Sequence, residues 1–161
     1  MPSTNCNLLS NSPDETRSIA EHLGQKLVPG DCILLYGPIG AGKSHFARSL
    51  IQKRLSDQGL WEDVPSPTFT LVQTYDDGIA EIWHADLYRV ADDGELDELG
   101  LLDAFDDAIT LIEWPERLRD LAPPNALHIT FASADPEDAR KISFRSEDPR
   151  WKPVLNVLCG T

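Results

Sequence analysis

The 161-residue sequence predicts one α/β domain, a mostly parallel sheet core with an antiparallel hairpin and helices on its flanks. Three observations carry that expectation. Two short apolar runs, CILLY at 32–36 and AITLI at 108–112, read as strands buried on both faces. The first passes through a glycine-rich turn into a helical stripe, the order of a strand–loop–helix unit. TFTLVQTY at 68–75 and IAEIWHA at 79–85 flank Asp76-Asp77-Gly78, and an Asp-Gly pair between β-rich runs signals a hairpin.

Along the chain, Ser12 can cap a helix that Pro13 starts, with Glu15 three residues on as capping-box partner. Ile19, Leu23 and Leu27 then recur at helical spacing until Pro29-Gly30 ends the segment. After strand 32–36 and the glycine turn, Phe46, Leu50, Ile51 and Leu55 form a stripe that stops near Gly59. Residues 92–107 place eight carboxylates among leucines and read as short solvated helices covering the sheet; that acidity implies no partner by itself. The run 108–114 is a strand ending in an acid, ALHITF and ARKISFRS are two later strands, and Pro149 to Leu158 is a closing helix. No repeat or linker interrupts residues 1–161, a length that suits one buried core and is short for two.

Fourteen Lys and Arg against 27 Asp and Glu leave a formal charge of −13, which repels the phosphate backbone that a direct nucleic-acid binder must neutralise. Unaided binding to RNA or DNA is not expected. Cys6, Cys32 and Cys159 are odd in number and widely spaced, so reduced, partly buried thiols are expected rather than a disulfide framework or a zinc site. No run approaches the ~18 apolar residues needed to span a bilayer, and the N-terminus carries no basic segment followed by an apolar stretch. The expectation is a soluble, cytoplasmic protein without membrane contact.

Gly37-Pro38-Ile39-Gly40-Ala41-Gly42-Lys43-Ser44 satisfies G-x-x-x-x-G-K-[ST] at every fixed position, between a predicted strand and a predicted helix. Glycines let successive backbone N–H groups turn inward, forming an anion nest at the positive end of the following helix. Lys43 then reaches the β- and γ-phosphate oxygens, and the Ser44 hydroxyl supplies one oxygen to a hydrated magnesium ion. A P-loop NTPase-like sheet holding a nucleoside triphosphate with Mg2+ is therefore expected. A further carboxylate for the metal belongs at the end of a neighbouring strand, and two candidates stand there: Asp86 after IAEIWHA and Glu113 after AITLI. The more apolar run favours Glu113 as the Walker-B-like acid. None of the five asparagines precedes a lysine, which leaves no N-K-x-D guanine motif. A small-molecule kinase usually carries several lid arginines, and here Arg117 and Arg119 are the only compact pair beyond the loop, a pair that also suits a helix surface. On pattern alone Trp114 is a core plug, His84 a packed and hydrogen-bonded strand-end residue, and His45 a residue packed on its helix.

LYGPIGAGKS, SPTFTLVQTY, HADLYR and LIEWP occur in the order and approximate spacing of the TsaE (YjeE) family, and over roughly residues 8 to 135 the chain resembles those bacterial ATPases of tRNA threonylcarbamoyladenosine synthesis. Ser44 stands for the more usual threonine and keeps the metal-binding oxygen. Phe69 stands for tyrosine and Ala85 for phenylalanine. The resemblance implies an ATPase with little turnover alone, acting with the proteins TsaB and TsaD and meeting tRNA only through them. It implies ATP with Mg2+ at the loop residues Gly37, Ile39, Gly40, Ala41, Gly42, Lys43 and Ser44, with Ser44 and Glu113 at the metal. Asp86, the other metal candidate, matches an acid important for hydrolysis. Glu15 and Thr16 lie where the family contacts the adenosine end, and Trp114 matches a tryptophan near the nucleotide. Thr68 resembles a switch-like threonine that senses the γ-phosphate; a hydroxyl serving a strand-start backbone group is the alternative. A small-metabolite kinase and a non-hydrolysing, nucleotide-gated binding module are the competing functional readings.

Overall fold

The computed structural model describes residues 3–67 and 70–160. Its strands are β1 (Thr4–Ser10), β2 (Cys32–Tyr36), β3 (Val72–Asp76), β4 (Glu81–Asp86), β5 (Ile109–Glu113), β6 (Leu127–Ser133) and β7 (Arg140–Ser146). They form one sheet in the order β1-β7-β6-β2-β5-β4-β3. The four central strands β6, β2, β5 and β4 run parallel. Antiparallel strands extend the sheet on both sides, β3 against β4 and the pair β7 and β1 beyond β6. The expected parallel core with a hairpin is present, and β1 is an addition to the expected set.

Helices α1 (Pro13–Gly24), α2 (Lys43–Asp57) and α5 (Trp151–Leu158) supply Leu23, Phe46, Leu50 and Trp151 to the core on one face of the sheet. On the other face, α3 (Asp93–Glu98), α4 (Leu101–Asp107) and a 3-10 segment, Pro115–Leu121, supply Leu96, Leu101, Phe105 and Leu118. This sandwich explains why β2 and β5 are apolar throughout. Ile33, Leu35 and Leu111 serve the first core, while Leu34 and Ile112 serve the second. Beyond the 3-10 segment the second face is open, and Asn5, Asn7, His128, Thr130 and Arg145 line a shallow hollow of about 550 Å³. Polar residues are tolerated there because, among the described residues, no helix covers them.

Local chemistry fixes the element ends. Ser12 Oγ accepts from Glu15 N–H at 3.2 Å, and the Glu15 carboxylate reaches back to Asn11 N–H at 2.7 Å, the expected box with its return bond one residue earlier. At the hairpin, Asp77 Oδ1 accepts the Ile79 and Ala80 N–H groups at 2.8 and 2.7 Å. Arg54 of α2 donates to Asp77 Oδ2 at 2.8 Å and to the Gly24 and Leu27 carbonyls at 2.7 and 3.1 Å. One buried guanidinium thus ties α2, the end of α1 and the hairpin together. The arginine pair read as a helix surface lies in the 3-10 segment, where Arg119 has φ 53° and pairs with Asp93.

The expectation of reduced thiols does not hold for two cysteines: Cys6 of β1 and Cys159, just past α5, form a disulfide with 6.3 Å between Cα atoms. Their separation of 153 residues hides a pairing that exists only because β1 and α5 meet. Cys32 is a free, buried thiol whose pKa burial pushes up to about 12. Among the described residues no helix is long and apolar enough to cross a membrane.

The Arg54–Asp77 pair generates a stability prediction. Arg54→Met leaves Asp77 buried without its cation and is expected to cost about 3–5 kcal/mol, read by urea denaturation near neutral pH. Burial would raise the Asp77 pKa, but the Ala80 and Ile79 amides and Arg54 outweigh it and hold it below its ordinary 3.8. Its contribution is therefore full above that value and is lost as pH falls through the lower, folded-state pKa. Asp77→Asn should flatten the acid limb of the stability profile, and an unchanged limb would remove Asp77 from it.

Candidate functional site

The glycine turn at 37–42 joins the buried strand β2 to α2, and its shape follows from how closely it packs. Gly37, at φ 146°, lies so near β6 that a Cβ would stand 2.9 Å from the Phe131 carbonyl oxygen. Gly42, at φ 105°, opens α2 with open space around it and provides no side-chain cap. First-turn N–H groups of a helix have no partner within it, so an uncapped start is a ready anion site. Gly42, Lys43 and Ser44 line a cleft of about 500 Å³ together with Ile39, Gly40, His45, Asp86, Tyr88, Glu113 and Trp114.

Parallel pairing delivers the acids to the same place. Glu113 stands opposite Leu35 of β2 on one side and Asp86 of β4 on the other. Ser44 Oγ donates to Glu113 Oε1 at 2.8 Å, and His84 Nε2 lies 2.7 Å from Glu113 Oε2 with both side chains buried. That contact makes Nε2 the donor nitrogen while the carboxylate is ionised, and it fixes how the carboxylate faces. Among the described residues His84 Nδ1 has no hydrogen-bond partner. Asp86 is buried, and its Oδ1 accepts from Tyr88 N–H at 3.0 Å.

Lys43 is drawn into this cluster. Its Nζ donates to Gly37 O at 2.7 Å and sits 3.7 Å from the centroid of the Trp114 ring. Burial pushes the Lys43 pKa below its ordinary value, and Glu113, Glu116 and Asp86 oppose that shift. Trp114 adopts φ 57° at the turn into Pro115 and meets Tyr88 at 4.9 Å between ring centroids. Trp114 therefore lies over the lysine while its partly buried ring also packs against the second core, so the expected core role holds in part.

The other expected residues divide. Ile39 and Gly40 line the cleft, and Ala41 is buried beneath the loop. Glu15 serves the α1 cap, and Thr16 is buried with its hydroxyl 2.6 Å from Ser10 Oγ; neither lines the cleft. His45 does line it, and its Nε2 is 3.0 Å from Pro13 O, which joins the starts of α1 and α2. Thr68 lies outside the described residues. Tyr88 was not singled out from the sequence, although it sits in the HADLYR stretch beside Asp86.

An uncapped helix start beside a lysine can hold phosphate oxygens. The oxygen-only set Ser44, Glu113 and Asp86 suits a hard divalent cation such as Mg2+. Among the described residues no group of three or more His, Cys, Asp or Glu could enclose a metal ion. An ion here would complete its coordination with phosphate and water.

Comparison with known proteins agrees in fold and in sequence. The family model described as "Threonylcarbamoyl adenosine biosynthesis protein TsaE" matches residues 10–142. A Rickettsia felis protein named tRNA threonylcarbamoyladenosine biosynthesis protein TsaE is 37% identical over 85% of this chain and 78% of its own length. A Bacillus subtilis protein of the same name is 33% identical over 91% of this chain and 89% of its own. The crystal structure of Bacillus subtilis YdiB superposes with a TM-score of 0.79 at 26% identity, covering 98% of this chain and 96% of that one.

The two glycines at the ends of the loop separate strain from contact. Gly42→Ala meets only the strain of a positive φ, about 1–2 kcal/mol, whereas Gly37→Ala must also push β6 away and is expected to cost more. Urea denaturation of both variants measures the difference. Equal losses would show that the close approach to Phe131 constrains nothing.

Proposed function

This chain belongs to the TsaE family of tRNA threonylcarbamoyladenosine biosynthesis proteins, and we propose that it serves that process as a magnesium-dependent ATPase, slow alone and stimulated by TsaB and TsaD. In this reading it regulates or resets the TsaB–TsaD complex and meets tRNA only through it. The observation that carries the proposal is the convergence of Lys43, Ser44, Asp86 and Glu113 on one cleft from three separate segments of chain.

The roles follow from position. The uncapped N–H groups of α2 and Lys43 hold the β- and γ-phosphates of ATP. Ser44 and Glu113 hold the metal, and His84 keeps the Glu113 carboxylate turned toward Ser44. Held there, Mg2+ would supply charge neutralisation at the phosphates. Asp86, anchored by Tyr88 N–H, orients the attacking water. The described residues that line the cleft include no arginine, so nothing among them acts as an arginine finger. Such a group is worth about 10³–10⁵ in rate in known systems, which supports a partner-supplied contribution. A chain of charge −13 is also better suited to act through protein partners than to grip tRNA itself.

Lys43→Ala removes a charge-assisted contact of about 1.5–3 kcal/mol and should weaken ATP binding roughly ten- to 150-fold with the fold retained. Calorimetric titration of parent and variant reads this directly, and equal affinities would take Lys43 out of the phosphate site.

Steady-state phosphate release, titrated with TsaB and TsaD, tests the function itself. Slow turnover alone and marked stimulation by the pair are expected. Glu113→Gln should weaken magnesium-dependent ATP binding, and Asp86→Asn should mainly reduce stimulated turnover. Thr68→Ala should lose the stimulation if that residue senses the γ-phosphate. Fast turnover that the pair leaves unchanged, with a phosphorylated metabolite as product, would favour a kinase, and binding without hydrolysis under any condition would favour a gated binding module.

A further inference from the structure

Arg140, the first residue of β7, does not line the cleft, yet its guanidinium grips the loop that does. Nε donates to Ala41 O at 3.1 Å and Nη2 to Gly40 O at 3.2 Å. Nη1 donates to Glu137 O and Ala139 O at 2.7 and 2.8 Å, anchoring the same side chain to the β6–β7 turn. Its backbone is paired on both sides, with Ser10 of β1 and Ser133 of β6, so the grip is made from a rigid base.

A peptide unit is planar and trans, with C=O and N–H pointing to opposite sides. Holding the Gly40 and Ala41 carbonyls therefore also sets the N–H directions of Ala41 and Gly42. The first closes the turn on Pro38 O at 3.2 Å, and the second is turned away from Arg140. Gly40 and Gly42 both have positive φ, and nothing within 4 Å would meet a Cβ on either, so packing does not brace the loop at these two positions. Its shape rests on hydrogen bonds: those from Arg140, and those of Ala41 N–H to Pro38 O, Phe46 N–H to Gly42 O and Lys43 Nζ to Gly37 O.

We propose that Arg140 is a positioning residue that presets the phosphate-binding loop from its outer side, coupling the β6–β7 turn to the nucleotide cleft. What the loop holds rests on the ATPase reading above; the bracing itself does not. Arg140 touches no phosphate in this scheme. It removes loop conformations in which the amides face elsewhere, so the ordering is complete before ligand arrives. ADP and ATP should benefit alike, since a loop brace has no means of sensing the γ-phosphate.

The test uses the full chain and compares the parent with Arg140→Ala and Arg140→Lys. Backbone NMR relaxation without nucleotide should give Gly40 and Gly42 amide order parameters near 0.85 in the parent, falling toward about 0.6 in Arg140→Ala while the strands stay rigid. Calorimetry should show a loss on the order of ten- to a hundredfold for Mg·ATP and Mg·ADP equally. Arg140→Lys should recover part of both effects, because an ammonium can still reach one carbonyl. Unchanged loop order and affinity would overturn the proposal, as would order parameters falling equally across the sheet, which would assign Arg140 to general stability. A parent that binds neither nucleotide would defeat the ATPase reading alone, and the relaxation comparison would still decide the brace.

Discussion

Asp86 and Glu113 face each other across the β4–β5 ladder, with Leu35 opposite Glu113 on the far side, and this register governs everything chemical in the molecule. Parallel strands that end level with one another present their last residues at one edge of the sheet. β2 ends in the glycine turn, β4 in Asp86 and β5 in Glu113. A slip of one residue in either pairing would send an acid to the opposite face of the sheet, away from Ser44. The two apolar cores prevent the slip, because Leu34 and Ile112 are accommodated on one face and Leu35 and Leu111 on the other.

The register also gathers charge where the interior is least tolerant of it. Lys43, Asp86 and Glu113 are each buried, in a chain whose acids outnumber its bases 27 to 14. Their burial is sustained by local partners: Gly37 O and the Trp114 ring for Lys43, His84 and Ser44 for Glu113, and Tyr88 N–H for Asp86. The three charged side chains thus have partners before ligand arrives, whereas, among the described residues, the uncapped start of α2 and His84 Nδ1 do not. An incoming anion must then compete with Gly37 O and Trp114 for Lys43, and an incoming cation must compete with Ser44 for Glu113.

Much of this was legible in the sequence, and the limit lies where contacts stop being local. The G-x-x-x-x-G-K-[ST] pattern occupies eight consecutive residues, and the turn from β2 into α2 that it predicts is present. The apolar run before Glu113 marks a strand buried on both faces, and β5 does lie between β2 and β4 in the sheet. β1 is hard to read because, although Asn5 and Asn7 alternate outward with Cys6 and Leu8 inward, an apolar Leu9 is exposed, a polar Ser10 is buried and asparagine is depleted in strands. The Cys6–Cys159 bridge, the contact of His84 with Glu113 and the grip of Arg140 on Gly40 and Ala41 depend on pairings across 153, 29 and 100 or 99 residues. No window of sequence contains them. Glu15 shows the converse: its local signal is sound as a helix cap, whereas a nucleotide role for Glu15 and Thr16 comes only from resemblance and is not visible as a contact with the cleft.

The same parallel ladder has a consequence for how the molecule acquires its shape. Hairpins can close early, because β3 and β4 are joined by a short turn, but β2 must wait for β5, with most of the middle of the chain lying between them. Bringing such distant segments together sacrifices loop entropy before any contact compensates, so this pairing is a slow event of folding. The cleft between β2, β4 and β5 does not exist until that event is over. A ligand of the cleft recognises only chains that have completed it, and so acts by mass action against the reverse step, drawing the population toward the finished sheet.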